Sequence, residues 1–147
     1  MSKKIQSERL IDAWIQLSGM LKKTKMTQGL AYNEATVMRL LYQRFCEDGK
    51  GIISIKEITE KTKMLKSLVN RTLKSLEYKG LLKRCDVKGD KRLAYVSCVA
   101  EKLEIFLDVH EASLKMAGYI IEIIGKEDAE AFIRIVKKIE NAGYSPA

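Results

Sequence analysis

Between Leu65 and Gly80, an apolar series (Leu65, Leu68, Val69, Thr72, Leu73, Leu76) recurs every three or four residues. Lys66, Ser67, Asn70, Arg71 and Lys74 fall on the opposite side of the same helix. These side chains suit nucleic acid. Asn can pair with an adenine edge and Arg with guanine, while Ser and Lys reach bases or phosphates. Shortly after, Asp86-Val-Lys-Gly-Asp-Lys-Arg92 forms a small basic turn in which Lys88, Lys91 and Arg92 surround Asp90. Such a tip can lie along phosphates, or enter a minor groove whose negative potential favours Arg.

Other reactive side chains are few. Cys46, Cys85 and Cys98 are odd in number and lack metal-type spacing, so in a reducing compartment they read as free thiols. A redox-sensing cysteine needs a lowered thiol pKa and access. Cys85, beside Lys83 and Arg84, has the most favourable neighbours, and Cys46 lies at a helix end whose dipole would raise its pKa. His110 is the only histidine, which excludes a His-rich zinc site and any catalysis needing two histidines. It falls on an apolar helical stripe and is expected to be a satisfied helix residue. There is no nucleophile elbow, phosphate loop or metal cluster, so neither an enzyme nor a bound cofactor is expected.

The charge distribution supports a polyanion partner. The net charge is +8 over 147 residues, yet residues 56 to 92 carry twelve Lys/Arg against five Asp/Glu, a local +7. Residues 1 to 55 carry +4 and residues 93 to 147 carry −3. A basic block between less basic flanks is the electrostatic footprint of nucleic-acid binding. With 46% hydrophobic and 31% charged residues, the chain reads as soluble and globular, and its length as one domain or one domain with a helical extension. No stretch approaches the ~20 apolar residues of a membrane span. Met1-Ser-Lys-Lys-Ile5 is not followed by an apolar h-region, which predicts no signal peptide and a cytoplasmic protein.

The elements that must position these groups follow from periodicity. The single proline, Pro146, stands at the end, which favours long helices. A first amphipathic helix runs from about Lys4 to Thr24, with Ile5, Leu10, Ile11, Trp14, Ile15 and Leu21. Asn33 reads as an N-cap for a second helix with Val37, Met38, Leu40, Leu41 and Phe45, ending near Asp48-Gly49. Ile52 and Ile53 suggest a very short strand. Ser54, with Glu57 three residues on, has capping-box spacing for a short helix to Lys61. After the helix closed by Gly80, strands at Leu81–Val87 and Arg92–Cys98 flank the Lys88-Gly89-Asp90 turn. A long helix from Glu101 to Ile124 and a last one after Glu127-Asp128, with Phe132, Ile133, Ile135, Val136 and Ile139, complete the chain. The fold class is mainly α with a small β-hairpin wing, a winged helix-turn-helix between N- and C-terminal helices.

The run Leu65-Lys-Ser-Leu-Val-Asn-Arg-Thr-Leu-Lys-Ser-Leu-Glu-Tyr-Lys-Gly-Leu-Leu-Lys-Arg84, followed by Gly-Asp-Lys-Arg92, resembles the multiple-antibiotic-resistance regulator (MarR) family. That family's pattern is a recognition helix, Leu-Glu-x-x-Gly-Leu-hydrophobic-x-Arg, and a wing with Asp-x-Arg. Here these are Leu76-Glu77, Gly80-Leu81-Leu82, Arg84 and Asp90-Lys91-Arg92. One departure stands out. Where the family has Leu-Thr-x-x-Gly after the wing, this chain has Ser97-Cys98-Val99-Ala100-Glu101, so the following helix should be capped differently.

The resemblance implies a homodimeric transcriptional regulator, in the repressor sense, on a pseudo-palindromic operator of double-stranded DNA. Residues 33–99 would be the DNA-binding lobe, and 1–26 with 101–147 a helical dimerisation arm. Arg92 would enter the minor groove, held by Asp90. Relatives that bind aromatic acids or sense oxidants imply a small-molecule or redox effector, with Trp14 and methionines such as Met38 as cavity residues and Cys85 as the thiol. Two other readings of the same residues are an architectural or replication-associated winged helix without an effector, and a winged-helix protein-interaction module. The regulated genes and the sense of regulation are not written in the chain.

Overall fold

The computed structural model describes residues 2–23, 30–87 and 90–143. It divides into two compact units, residues up to His110 and residues from Glu111 onward. The first unit holds α1 (Lys3–Lys23), α2 (Tyr32–Asp48), β1 (Ile52–Ser54), α3 (Ile55–Thr62), α4 (Lys66–Tyr78), β2 (Leu82–Val87), β3 (Asp90–Cys98) and the start of α5 (Leu103–Ile124). The second holds the rest of α5 and α6 (Lys126–Asn141).

The N-cap of α2 is Ala31, not the expected Asn33. Alanine has no side-chain acceptor. The open amide at the cap is satisfied from inside the helix instead, where Glu34 accepts a 2.9 Å bond from the Ala31 N–H. Asp48 organises the other end, its Oδ1 accepting from the N–H groups of Gly51 (3.0 Å) and Lys50 (2.8 Å). Those two bonds hold its carboxyl below the usual range. Gly49 and Gly51 both take left-handed backbone there, a region costly for other residues. Gly51 is also crowded, because a Cβ on it would lie 2.9 Å from the Cys98 sulfur.

Ser54 caps α3 as its spacing predicts, accepting from the Glu57 N–H at 3.0 Å. The Glu57 carboxylate turns instead to Arg44 of α2, which also donates to the Ile52 carbonyl at 3.3 Å. The wing is larger than a hairpin. β1 adds to β3, with Ile53 opposite Val96, giving a three-stranded antiparallel sheet in the order β1-β3-β2. β2 pairs with β3 from Leu82 opposite Cys98 to Val87 opposite Asp90, and a bulge falls between Cys85 and Val87. Bulges of this kind increase local twist and re-aim a hairpin. β2 starts one residue later than expected and β3 two residues earlier.

The core of the first unit is built where these elements meet. Val37, Met38 and Leu41 of α2, Ile58 of α3, Val69, Leu73 and Leu76 of α4, Ile53 and Val96 of the sheet and Val109 of α5 are all fully buried. Each large apolar side chain so buried contributes roughly 1.5–3 kcal/mol. A 3-10 turn, Ala100–Lys102, leads into α5, with the Lys102 N–H bonded to the Val99 carbonyl at 2.9 Å. In contrast, α1 and α6 bury no residue of their own. Among the described residues of the second unit none is buried.

Candidate nucleic-acid interface

α3 and α4 are joined by a turn of three residues. Lys63, at φ 60°, is the left-handed residue that ends α3, its N–H bonding the Thr59 carbonyl. The Thr62 hydroxyl donates to the Ile58 carbonyl at 2.7 Å and accepts from the Met64 N–H at 3.3 Å. Leu65 then serves as the N-cap of α4, with no side-chain bond to the helix. The sequence places Leu65 on the apolar stripe, but it stands outside the core and is 76% exposed. The first amides of α4 therefore have no side-chain cap. An open helix N-terminus of this kind favours phosphate.

Beyond that opening, Ser67, Arg71 and Lys74 are exposed and lie three and four residues apart, so they share one face. Tyr78 continues that face and is 93% exposed. Lys66 is exposed too, but Asn70 is half-buried, because both flank the face on the side of α3. There they line a groove of about 620 Å³ with Lys56, Thr59 and Glu60 of α3, Arg84 of β2 and Ala94 of β3. Lys56, Thr59 and Arg84 were not singled out from the sequence as site residues. They lie outside α4, and only the fold brings them to it.

At its other end α4 closes in a Schellman turn. Gly80 is left-handed (φ 75°), its N–H bonds the Glu77 carbonyl, and the Leu81 N–H bonds the Leu76 carbonyl, each at 3.0 Å. Leu76, Leu81 and Leu82 are buried, while Glu77 pairs with Arg84 at 3.7 Å. The Leu-Glu-x-x-Gly-Leu-Leu-x-Arg run is thus a joint between helix and wing. A second polar contact grips this end of α4. Glu34 of α2, itself buried, accepts from Lys79 Nζ at 2.8 and 2.9 Å and from Ser75 Oγ at 2.9 Å. Burial alone would push its carboxyl up. The bonds from Lys79, Ala31 and Ser75 and the Lys79 charge outweigh burial and hold it below the usual range.

On the wing, Asp90, Lys91 and Arg92 open β3. Lys88 lies outside the described residues, as does the expected pairing of the Asp90 and Arg92 side chains. The cysteines separate by environment. Cys46 is exposed, Cys85 half-buried in β2, and Cys98 buried, with burial pushing its thiol up. Met38 is core, as its stripe implies, and Trp14 is 55% exposed on α1. His110 differs from expectation. It stacks on Tyr42 of α2 with ring centroids 4.6 Å apart, but its buried Nδ1 has no hydrogen-bond partner among the described residues. Among the described residues no group of side chains could hold a metal ion, and no helix is long and apolar enough to cross a membrane.

With the two-helix unit, its joint and the sheet in place, comparison with known proteins is direct. Residues 29–93 match the model of the MarR family. This segment belongs to the MarR family. Likeness to solved MarR-type structures extends over nearly the whole chain. The PcaV transcriptional regulator from Streptomyces coelicolor, solved with its natural ligand, is similar at a TM-score of 0.73 and 12% identity, covering 98% of each chain. The transcriptional regulator BldR from Sulfolobus solfataricus gives 0.73 and 17%, covering 95% of this chain and 100% of that one. A mutant MarR from E. coli complexed with operator DNA gives 0.73 and 16%, covering 93% and 95%. At these identities the likeness is one of fold, and the fold is that of MarR-family winged-helix transcriptional regulators. No curated protein sequence matches the chain.

Proposed function

We propose that this chain is a sequence-specific DNA-binding transcriptional regulator that works as a homodimer on a pseudo-palindromic operator. The observation that carries the proposal is the exposed face Ser67–Arg71–Lys74 on α4, beside an uncapped helix N-terminus and the groove bearing Lys56, Lys66 and Arg84. α4 enters the major groove. Arg71 and the half-buried Asn70 read base edges, and Lys66, Ser67 and Lys74 hold phosphates. Lys88, Lys91 and Arg92 of the wing follow the adjoining backbone or minor groove, with Asp90 orienting Arg92.

The dimer is argued from exposed apolar surface. Ile5, Leu10, Ile11, Trp14 and Ile15 on α1, and Phe132, Ile133, Ile135, Val136 and Ile139 on α6, are each 42–59% exposed. Apolar surface of that extent marks an interface. Residues 1–26 and 101–147 would then be the dimerisation arm and residues 33–99 the DNA-binding lobe. The operator complex of the E. coli MarR mutant and the natural ligand of PcaV favour a repressor released by a small molecule.

Selection of bound duplexes from a random pool, with sedimentation of the free protein, tests the proposal. A palindromic consensus and a particle near twice 16.7 kDa are expected. Enrichment without a consensus would mean an architectural protein. No binding would mean that the winged helix docks a protein instead.

A further inference from the structure

We propose that buried Glu34, with half-buried Ser75 and exposed Lys79, forms a polar anchor that fixes the rotation and depth of α4, which makes Glu34 a positioning residue for base recognition. The inference rests on the DNA-reading assignment of α4 made above.

α4 is otherwise held by Val69, Thr72, Leu73 and Leu76, which are buried in the core. Apolar burial is non-directional, so it attaches a helix firmly but distinguishes weakly between small rotations about its axis. A carboxylate with several charged and neutral donors is directional. Here both carboxylate oxygens are engaged. Oε1 accepts from the Ala31 N–H and from Lys79, and Oε2 accepts from Ser75 and from Lys79. The Ala31 amide ties the carboxylate to the backbone of α2, so the anchor has a fixed base. Ser75 and Lys79 are four residues apart and meet it from one face of α4.

Its position connects it to the reading face. Ser75 stands four residues after Arg71 and directly follows Lys74. A rotation that breaks the Ser75 and Lys79 bonds therefore swings Arg71 and Lys74 by the same angle. Base contacts require placement to within roughly 0.5 Å. An ion pair with one buried partner is weak support for stability, since desolvation of the buried carboxylate offsets much of the attraction, and the better-attested use of such pairs is to select one arrangement among several. The cluster also takes part in no DNA contact assigned above. It faces α2, whereas Ser67, Arg71 and Lys74 are exposed on α4.

The test uses the full chain and two duplexes of equal length, one carrying the consensus selected by the wild type and one scrambled. Glu34→Gln raises the net charge and Lys79→Met lowers it, so simple attraction to a polyanion predicts opposite changes in affinity. The anchor predicts the same change in both: the ratio of consensus to scrambled affinity falls about tenfold, the discrimination of one good base contact. Ser75→Ala, the mildest variant, should lose part of that ratio, and Lys79→Arg should restore most of it. Circular dichroism and thermal melting establish that each variant is folded. Folded variants with lowered melting temperature but an unchanged ratio would overturn the positioning role and leave the cluster merely structural. A wild type that enriches no consensus would overturn the DNA-reading assignment itself, and the anchor with it.

Discussion

Gly51 and Gly80 allow the backbone and packing effects of one substitution to be separated. Both have left-handed backbone, at φ 65° and 75°. A Cβ on Gly80 meets nothing within 4 Å among the described residues, whereas one on Gly51 would lie 2.9 Å from Cys98 Sγ and 3.3 Å from Phe45 Cβ. Gly80→Ala should therefore cost only the left-handed penalty, about 1–2 kcal/mol. Gly51→Ala carries the same penalty plus overpacking of about 1–3 kcal/mol, because Cys98 is buried in β3 and has little room to retreat. Removing the sulfur should relieve part of this. In a double-mutant cycle, Gly51→Ala with Cys98→Ala should be less destabilised than the sum of the singles, by about 1 kcal/mol. The residual contact with Phe45 keeps the relief incomplete. Urea unfolding followed by circular dichroism, at one protein concentration throughout, gives the four free energies. If Gly51→Ala is no worse than Gly80→Ala, or the cycle shows no coupling, then β1 is not held against β3 and α2 as described.

Four further outcomes are expected. The Glu34 carboxyl lies below its ordinary 4.5 in the folded chain, so its contribution to stability is full above that value and is lost as pH falls through the folded value; Glu34→Gln should flatten the acid limb of a stability–pH curve, and an unchanged limb would refute the pairing. Arg71→Ala should weaken consensus binding about tenfold and relax one base position per half-site, whereas Lys88→Ala and Lys91→Ala should weaken all duplexes alike and flatten the log–log salt slope by about one unit per subunit. Asp90→Ala should weaken operator binding at fixed salt even though it removes a negative charge; tighter binding would show that Asp90 acts only by repulsion. A thiol reagent under native conditions should modify exposed Cys46 first and buried Cys98 only as the protein unfolds, which mass mapping of the labelled peptides would check.

The local features of the fold were legible because their signals are local. The stripe Val69, Thr72, Leu73, Leu76 repeats at helical period and is buried as it predicts. Gly80 marks a Schellman turn, and Ser54 with Glu57 marks the start of α3. What was missed depends on distance along the chain. Asn33 has the right chemistry for a cap, but Glu34 already satisfies the Ala31 amide and the helix starts earlier. The hairpin gains β1 because Ile52–Ser54 pairs with residues more than 40 positions later. Glu34 and Lys79 are 45 residues apart, and no pattern within one helix links them. Asn70 has the polarity of a reading-face residue, but the proximity of α3 and Arg84 makes it half-buried.

The joint that ends α4 has a consequence for how such a protein can diverge. Gly80, Leu76, Leu81, Leu82 and the Glu77–Arg84 pair build the exit from the helix, and these residues carry the resemblance to the MarR pattern and lie within the matched segment. Ser67, Arg71 and Lys74 are exposed and enter none of the bonds described for that joint, and substitutions at separate sites act nearly additively. If α4 reads DNA as proposed, a duplicated copy could exchange its exposed α4 residues and address a new set of genes while its fold signature stayed intact. On the proposed reading, kinship is encoded in the residues that close α4 and target preference in those exposed along it, so two such proteins can share the first without sharing the second.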